Sequence, residues 1–297
     1  MPELPDLQVY LDALAPRVLG QPLERAVAAN PFVLRTVDPP LGALVGRRVA
    51  RLGRLGKRLL LHFGPVGDEI VLAIHLMIAG RLRWRATGGK APPKRMVLAE
   101  LGFPTGWLVL TEAGTTRRAA IHVVRPGGLA ALDRGGAEPL GIPLDEFRER
   151  LTRENRTVKR ALTDPRIFAG IGNAYSDEIL HRARLAPTAH TQRLDADAIA
   201  RLHAAVQDTL AEWTARLRAE AGGEFPEKVT AFREGMAVHG RYGQPCPDCG
   251  AAVQRIRYAS NETNYCARCQ TGGRLLADRA MSRLLGDDWP RHLDALE

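Results

Sequence analysis

Long apolar runs are missing from this 297-residue chain. None approaches the roughly 20 residues that a bilayer-spanning helix needs. No basic stretch followed by an apolar core opens the sequence, so no secretory leader is expected and the cytoplasm is the expected compartment. Cysteine is scarce, with four residues in all, which argues against a disulfide-dense secreted scaffold. Internal repeats and low-complexity tracts are also missing, which argues against a solenoid. Acidic residues are in deficit: 33 Asp and Glu stand against 42 Lys and Arg, for a net charge of +9. Such an excess favours polyanionic partners, nucleic acid before an acidic membrane surface. Arginine far outnumbers lysine. Its planar fork suits phosphate, although a GC-rich genome would give the same bias.

What is present divides along the chain. Leu7, Leu11, Leu14 and Val18 repeat at helical spacing over 6–19, with Asp6 placed to cap. From about 21 to 130, short apolar runs such as "RLLLHF" alternate with Gly/Pro turns, the pattern of a mostly β domain. "ATGGKAPPKR" (86–95) is a basic, turn-rich loop. Beyond about 143 the periods turn helical, in "LDEFRERLTRENRTVKRAL" and "NAYSDEILHRARL", joined by the turn-rich "TDPRIFAGIGN". Ile199, Leu202, Val206, Leu210, Trp213 and Leu217 form one apolar stripe over 195–220, which predicts a helix packed on a core.

All four cysteines fall in one segment, Cys246-x2-Cys249-x16-Cys266-x2-Cys269. Two Cys-x2-Cys knuckles at this spacing predict a tetrahedral zinc site. Four thiolates leave no open coordination position, so one structural Zn2+ is expected. The intervening "VQRIRYASNETNY" reads as strand, turn, strand, a hairpin clamped at its base. Arg255, Arg257, Arg268, Tyr258 and Tyr265 suit a β-ribbon that touches nucleic acid.

Two further features carry chemistry. "GIGN" (170–173) opens a helix, where backbone N–H groups and the Asn173 amide can hold a phosphate. "MPELPD" places Pro2 and Glu3 directly behind the initiator. Once Met1 is removed, Pro2 carries a secondary amine beside a carboxylate.

The ordered motifs "MPELPD", "GKRLLLHF", "DPRIFAGIGNAYSDEIL" and the cysteine segment introduced by "VHGRYGQPC" resemble the formamidopyrimidine-DNA glycosylase / endonuclease VIII family of base-excision repair enzymes, over residues 1 to about 270. The resemblance implies an α+β multidomain protein. It comprises an N-terminal β-sandwich with an N-terminal helix (1–133), a helix–two-turns–helix domain (134–226), a zinc-ribbon hairpin (227–270) and a C-terminal extension (271–297). It implies glycosylase and AP lyase activity on double-stranded DNA with damaged bases or abasic sites, held in a cleft between domains by a monomer. Pro2 would be the nucleophile that forms a Schiff base, Glu3 the general acid/base and Lys57 the lysine near the lesion and its phosphate. Asn173 would grip phosphate. The loop "TTRRAAIH" would meet the opposite strand, with Arg117 filling the space vacated by an extruded base and Arg118 contacting phosphate. Oxidised purines are the family default, and oxidised pyrimidines the alternative.

Four positions depart from the pattern. Asp6 replaces the usual glutamate; Ala119 stands where purine-specific members carry a phenylalanine wedge; Ile78 replaces a void-filling methionine. Asn261 occupies the hairpin tip where the family has an arginine, and a neutral amide cannot form a charge-assisted phosphate bond. In the extension, "LLADRAMSRLL" predicts a helix with Leu275, Ala280 and Leu284 on the body. Two rivals remain on sequence: a silent paralogue that only binds distorted DNA, and a zinc-ribbon protein of transcription or translation. The Pro2–Glu3–Lys57–Asn173 set argues against the first and the N-terminus against the second.

Overall fold

The structure, a computed structural model, describes residues 1–114, 116–227, 229–230, 232–258 and 261–295, with the side chains of Arg279 and Ala280 left out. Thr115 of the "TTRRAAIH" loop, Ala259 and Ser260 of the hairpin turn, and the Ala280 packing expectation therefore lie outside the described residues. The chain forms two compact units, Met1–Arg134 with Trp213–Thr230, and Gly135–Glu212 with Ala231–Glu297.

The first unit opens with helix α1 (Leu4–Val18). It begins two residues earlier than the sequence pattern predicts, and Asp6 is not its cap. Glu3 is the N-cap and Asp6 the third helical residue, in a reciprocal capping box. The Glu3 N–H donates to Asp6 Oδ2 at 2.8 Å. This satisfies helix-end donors that have no intrahelical partner. Eight strands follow: β1 (Arg25–Val27), β2 (Val49–Leu55), β3 (Arg58–Phe63), β4 (Ile70–His75), β5 (Gly80–Arg85), β6 (Val97–Phe103), β7 (Gly106–Glu112) and β8 (Ala120–Val124). They make two antiparallel four-stranded sheets, in the orders β1-β6-β7-β5 and β2-β3-β4-β8. Alternation on β3 sends Leu59, Leu61 and Phe63 inward. They bury against Leu82, Leu98, Leu101 and Leu108 of the other sheet and against Leu7, Tyr10 and Leu14 of α1. This is the expected sandwich with its N-terminal helix.

In the second unit, the stretch 144–162 does not form one helix. It splits into α2 (Leu144–Thr152) and α3 (Val158–Thr163). The break is held by tertiary bonds that outcompete helical ones: the Arg156 N–H donates to Thr191 Oγ1 at 3.2 Å, and the Arg156 guanidinium pairs with Glu154 and Asp164. Helix α4 (Asn173–Arg182) follows the GIGN turn. Helix α5 (Ala196–Ala221) buries the predicted stripe of Ile199, Leu202, Val206, Leu210, Trp213 and Leu217. Strands β9 (Gln254–Arg257) and β10 (Glu262–Tyr265) form the expected hairpin, with Arg257 opposite Glu262. The chain ends with α6 (Ala267–Thr271) and α7 (Arg279–Leu285). Leu275 is buried as expected, but Leu284 is 77% exposed. The helix starts four residues after Leu275, so Leu284 is not on the same face. Among the described residues, no helix is long and apolar enough to cross a membrane.

Candidate active site and nucleic-acid interface

The N-terminal end of the chain is enclosed rather than frayed. Pro2, Glu3 and Asp6 are buried. The terminal amine, carried here by Met1, is held below its ordinary value of 8.0, chiefly by burial. The Glu3 and Asp6 carboxylates act in the other direction, and Arg81 and Lys57 lower it further. Such a lowering enlarges the fraction of the neutral amine, which is the nucleophilic form.

Lys57 occupies the two-residue Gly56–Lys57 turn between β2 and β3. Half-buried there, its ammonium is pulled below its usual 10.5 by desolvation, opposed by Glu3 and Asp6. The structure thus brings Glu3, Lys57 and the chain's first residues into one electrostatic cluster. Sequence reading missed two members of these surroundings. Arg81, the second residue of β5, acts on the terminal amine. His75, opposite Arg58 in the sheet, is lowered to about 4 by burial and by Arg58, Lys57 and His122. Neither has a sequence signal apart from its place beside the "HLMIAG" turn.

Two loops of the first unit carry the candidates for filling an emptied base stack. Ile78 sits on the turn between β4 and β5, 63% exposed. Gly80 closes that turn, where a Cβ would lie 2.2 Å from the Leu76 carbonyl and 3.1 Å from Ala119 Cβ. Ala119 is therefore core, 3% exposed, and does not project. Arg117 and Arg118 are exposed. Their loop is fixed by the buried Glu112, whose Oε2 accepts the N–H groups of Arg118 and Ala119, each at 2.9 Å. The Arg117 guanidinium also donates to the Arg95 carbonyl, which joins this loop to the basic 86–95 segment.

The other candidates lie in the second unit. Asn173 is the first residue of α4, and its Nδ2 donates to the Glu262 carbonyl at 2.9 Å. Glu262 follows Asn261, so both phosphate-contact candidates share one surface. Asn261 is exposed, and its carbonyl accepts the Tyr258 N–H at 2.8 Å across the hairpin tip. Arg257, Tyr258 and Arg268 are exposed as expected. Tyr265 is not available to nucleic acid: it is 1% exposed. Arg255 is half-buried, paired with Glu262 and placed over the Tyr242 ring at 4.0 Å.

Acidic residues on α4 anchor this surface. Asp177 takes the Lys159 ammonium at 2.5 Å and His239 Nδ1 at 2.8 Å. Buried Glu178 accepts the N–H groups of Ala237, Val238 and His239 at 2.7, 2.9 and 2.9 Å. The signal for both was the acidic pair in the otherwise apolar "SDEIL". Glu178→Ala leaves these three donors without their acceptor. At about 1–3 kcal/mol per buried unsatisfied group, the second unit should lose about 3 kcal/mol or more. Calorimetry of the variant checks this, and an unchanged melting temperature would contradict it.

The sulfurs of Cys246, Cys249, Cys266 and Cys269 all lie within 4.8 Å of one another. Cys246 and Cys269 are 3.9 Å apart, and Cys249 and Cys266 3.4 Å. Tetrahedral zinc with bonds of about 2.3 Å places its sulfurs about 3.8 Å apart, so the four thiols fit that ion as a closed structural site. His181 Nε2 of α4 reaches Cys246 Sγ at 3.3 Å, a bond that orients the ligand.

The comparisons with known proteins agree with this geometry. Residues 1–171 match the formamidopyrimidine-DNA glycosylase N-terminal domain, 136–219 the H2TH domain of the same enzymes, and 243–272 the zinc finger found in FPG and IleRS. The formamidopyrimidine-DNA glycosylase of Heliobacterium modesticaldum is 34% identical over 289 residues, covering 91% of this chain and 100% of that protein. An uncharacterized formamidopyrimidine-DNA glycosylase-like protein of Mycobacterium tuberculosis is 39% identical over 150 residues, 50% of this chain and 93% of its own length. Among solved structures, Lactococcus lactis FPG in complex with FAPY-dG-containing DNA superposes with a TM-score of 0.79 at 25% identity, covering 91% of this chain and 100% of that one. With its first domain spanning more than half the sequence and full-length relatives above 30% identity, this chain belongs to the formamidopyrimidine-DNA glycosylase family of DNA-repair enzymes.

Proposed function

We propose that this protein is a bifunctional glycosylase and AP lyase acting on oxidised bases in double-stranded DNA. The observation that carries the reading is the enclosed N-terminus, where burial lowers the pKa of the terminal amine beside Glu3 and Lys57. After removal of Met1, the Pro2 nitrogen attacks C1′ of the extruded nucleotide. The glycosidic bond breaks, the base leaves with a proton, and Glu3 protonates the ring oxygen as the sugar opens. The proline nitrogen loses its own proton to give an iminium at C1′. That iminium draws electrons from the adjacent carbon. Loss of the C2′ proton then expels the 3′ phosphate and cleaves the strand. Lys57 and Asn173 hold the phosphate beside the lesion, and Asn261 meets the flanking backbone. Arg117 and Ile78 fill the vacated stack, and Arg118 contacts phosphate from the same loop. A single structural zinc holds the hairpin. Lactococcus lactis FPG structures with FAPY-dG and with abasic-site DNA support this substrate class.

The burial of Ala119 favours a second lesion class. No group at this position stacks where purine-specific relatives place an aromatic wedge, which suits oxidised pyrimidines as well as purines. A panel of lesions with defined opposite bases separates the two.

The reaction itself is tested on a duplex with one abasic site. Asn261 provides no charge to assist a second elimination, so cleavage should stop at the unsaturated 3′ aldehyde. Electrophoresis resolves that end from a 3′ phosphate. Intact strands would defeat the lyase assignment, and a clean 3′ phosphate would defeat the role given to Asn261.

A further inference from the structure

The residues after the zinc-finger cysteines fold back on the hairpin. Gly273 adopts φ +90°, and a Cβ there would lie 2.2 Å from His292 Nε2, so two passes of the chain meet at this point. The Leu293 N–H donates to the Gly273 carbonyl at 2.9 Å, and the Leu275 N–H to the Arg291 carbonyl at 3.0 Å. Leu275, Leu276 and Leu293 bury against Ile256, Tyr265 and Ala267. The Tyr265 hydroxyl, lost to any nucleic-acid role, accepts the Leu276 N–H at 2.8 Å. Asp278, only 4% exposed, accepts the Arg257 N–H at 2.8 Å through one oxygen and the Met281 N–H of α7 at 3.2 Å through the other. Arg257 is the last residue of β9, adjacent to the tip that Tyr258 and Asn261 close.

We propose that residues 273–295 form a strap that fixes the tip of the zinc hairpin for contact with DNA phosphate, with Asp278 as its positioning residue. A two-stranded sheet is marginal by itself in water. Zinc clamps the base of this one, since its ligands precede β9 and follow β10. The tip lies at the far end of two four-residue strands from that clamp. The strap supplies a second fixed point there, and it covers an edge N–H of β9 that would otherwise be open to another strand. The neutral tip makes this matter. A charged side chain attracts phosphate over a range of positions, whereas an amide such as Asn261 must meet it at hydrogen-bond distance and angle. The inference rests on the DNA-binding role proposed above.

The test uses the full chain with Asp278→Ala, Asp278→Asn and Leu293→Ala. Affinity is measured on a duplex carrying a stable abasic-site analogue, along with the single-turnover cleavage rate at saturating abasic DNA and the zinc content. Asp278→Ala should weaken binding by about 5–30-fold. Asp278→Asn keeps one acceptor oxygen and should fall between it and wild type. Leu293→Ala should shift affinity in the same direction. The saturating rate should stay within about twofold of wild type and the zinc content should be unchanged, a split that general destabilisation would not give. If Asp278→Ala loses zinc, the other two variants decide by the same criteria. Wild-type protein that fails to bind the duplex would overturn the proposed function and the strap's role with it. Wild type that binds, with variants that bind as tightly, would overturn the strap alone.

Discussion

Protein with an added residue left in place ahead of Pro2 is expected to lose strand cleavage and borohydride trapping on abasic-site DNA by at least about 1,000-fold, roughly 4 kcal/mol of barrier. The loss has two causes. The Pro2 nitrogen becomes a tertiary amide, whose lone pair is delocalised into the carbonyl and cannot form an iminium. The new terminal amine is displaced by about 3.8 Å along the chain. That shift exceeds the tolerance of a near-attack geometry, where reacting atoms stand about 3–3.5 Å apart. DNA affinity should change little, because the proposed phosphate contacts of Lys57, Arg118, Asn173 and Asn261 remain. The pH profile follows from the surroundings of the terminus. Burial, with Arg81 and Lys57, holds the Met1 amine of the intact chain below 8.0, and Pro2 beside it is buried too, so the same depression is expected for the amine that removal of Met1 exposes. The reactive neutral form should therefore accumulate as pH rises through that lowered value, so single-turnover cleavage should climb below pH 8 and level off above. A profile that keeps climbing well above pH 8 would point to an amine without this depression. Retained cleavage by the extended protein would move the nucleophile elsewhere. The next candidate is Lys57, whose own pKa is depressed by burial.

Removing zinc should have the second largest effect. Chelation or Cys246→Ser should unfold the hairpin and weaken binding to the abasic-analogue duplex by at least about 100-fold. Structural zinc contributes on the order of 10 kcal/mol to folding, and strands of four residues cannot replace that by packing. The damage should reach α4. His181 loses its thiolate partner, and Gln270, which holds the Leu185 carbonyl at 2.8 Å, loses its fixed position. The Asn173–Glu262 bond then loses its acceptor strand. The sandwich of the first unit has its own core and should keep its calorimetric transition. Zinc-free protein that binds the duplex with unchanged affinity would contradict this account.

Much of this architecture was legible in residue order. The cysteine spacing, the stripe on α5 and the alternation in "RLLLHF" each depend on local periodicity, and each folds as its pattern predicts. What was not legible depends on partners distant in sequence. The break after Thr152 is set by Thr191, Glu154 and Asp164 around Arg156, which helical periodicity cannot register. Tyr265 has the composition of a nucleic-acid contact but faces Leu276, from a segment with no strong pattern of its own. Glu112 looks like an ordinary surface carboxylate in sequence, and Glu178 is marked only by the apolar residues that follow it. They are buried because each collects backbone N–H groups from a loop that carries or supports proposed contacts. Asp6 shows the limit most clearly. Its departure from the family glutamate suggests a displaced charge, yet the shorter side chain serves in the capping box that positions Glu3.

The central claim is that the terminal amine of Pro2 performs covalent catalysis. Its most direct test is borohydride reduction of the protein on abasic-site DNA, followed by peptide mass spectrometry to locate the linkage. The expected result is a single adduct on the N-terminal peptide, at Pro2, in protein shown to lack Met1. An adduct on Lys57, or no adduct from protein with a free Pro2, would contradict the account.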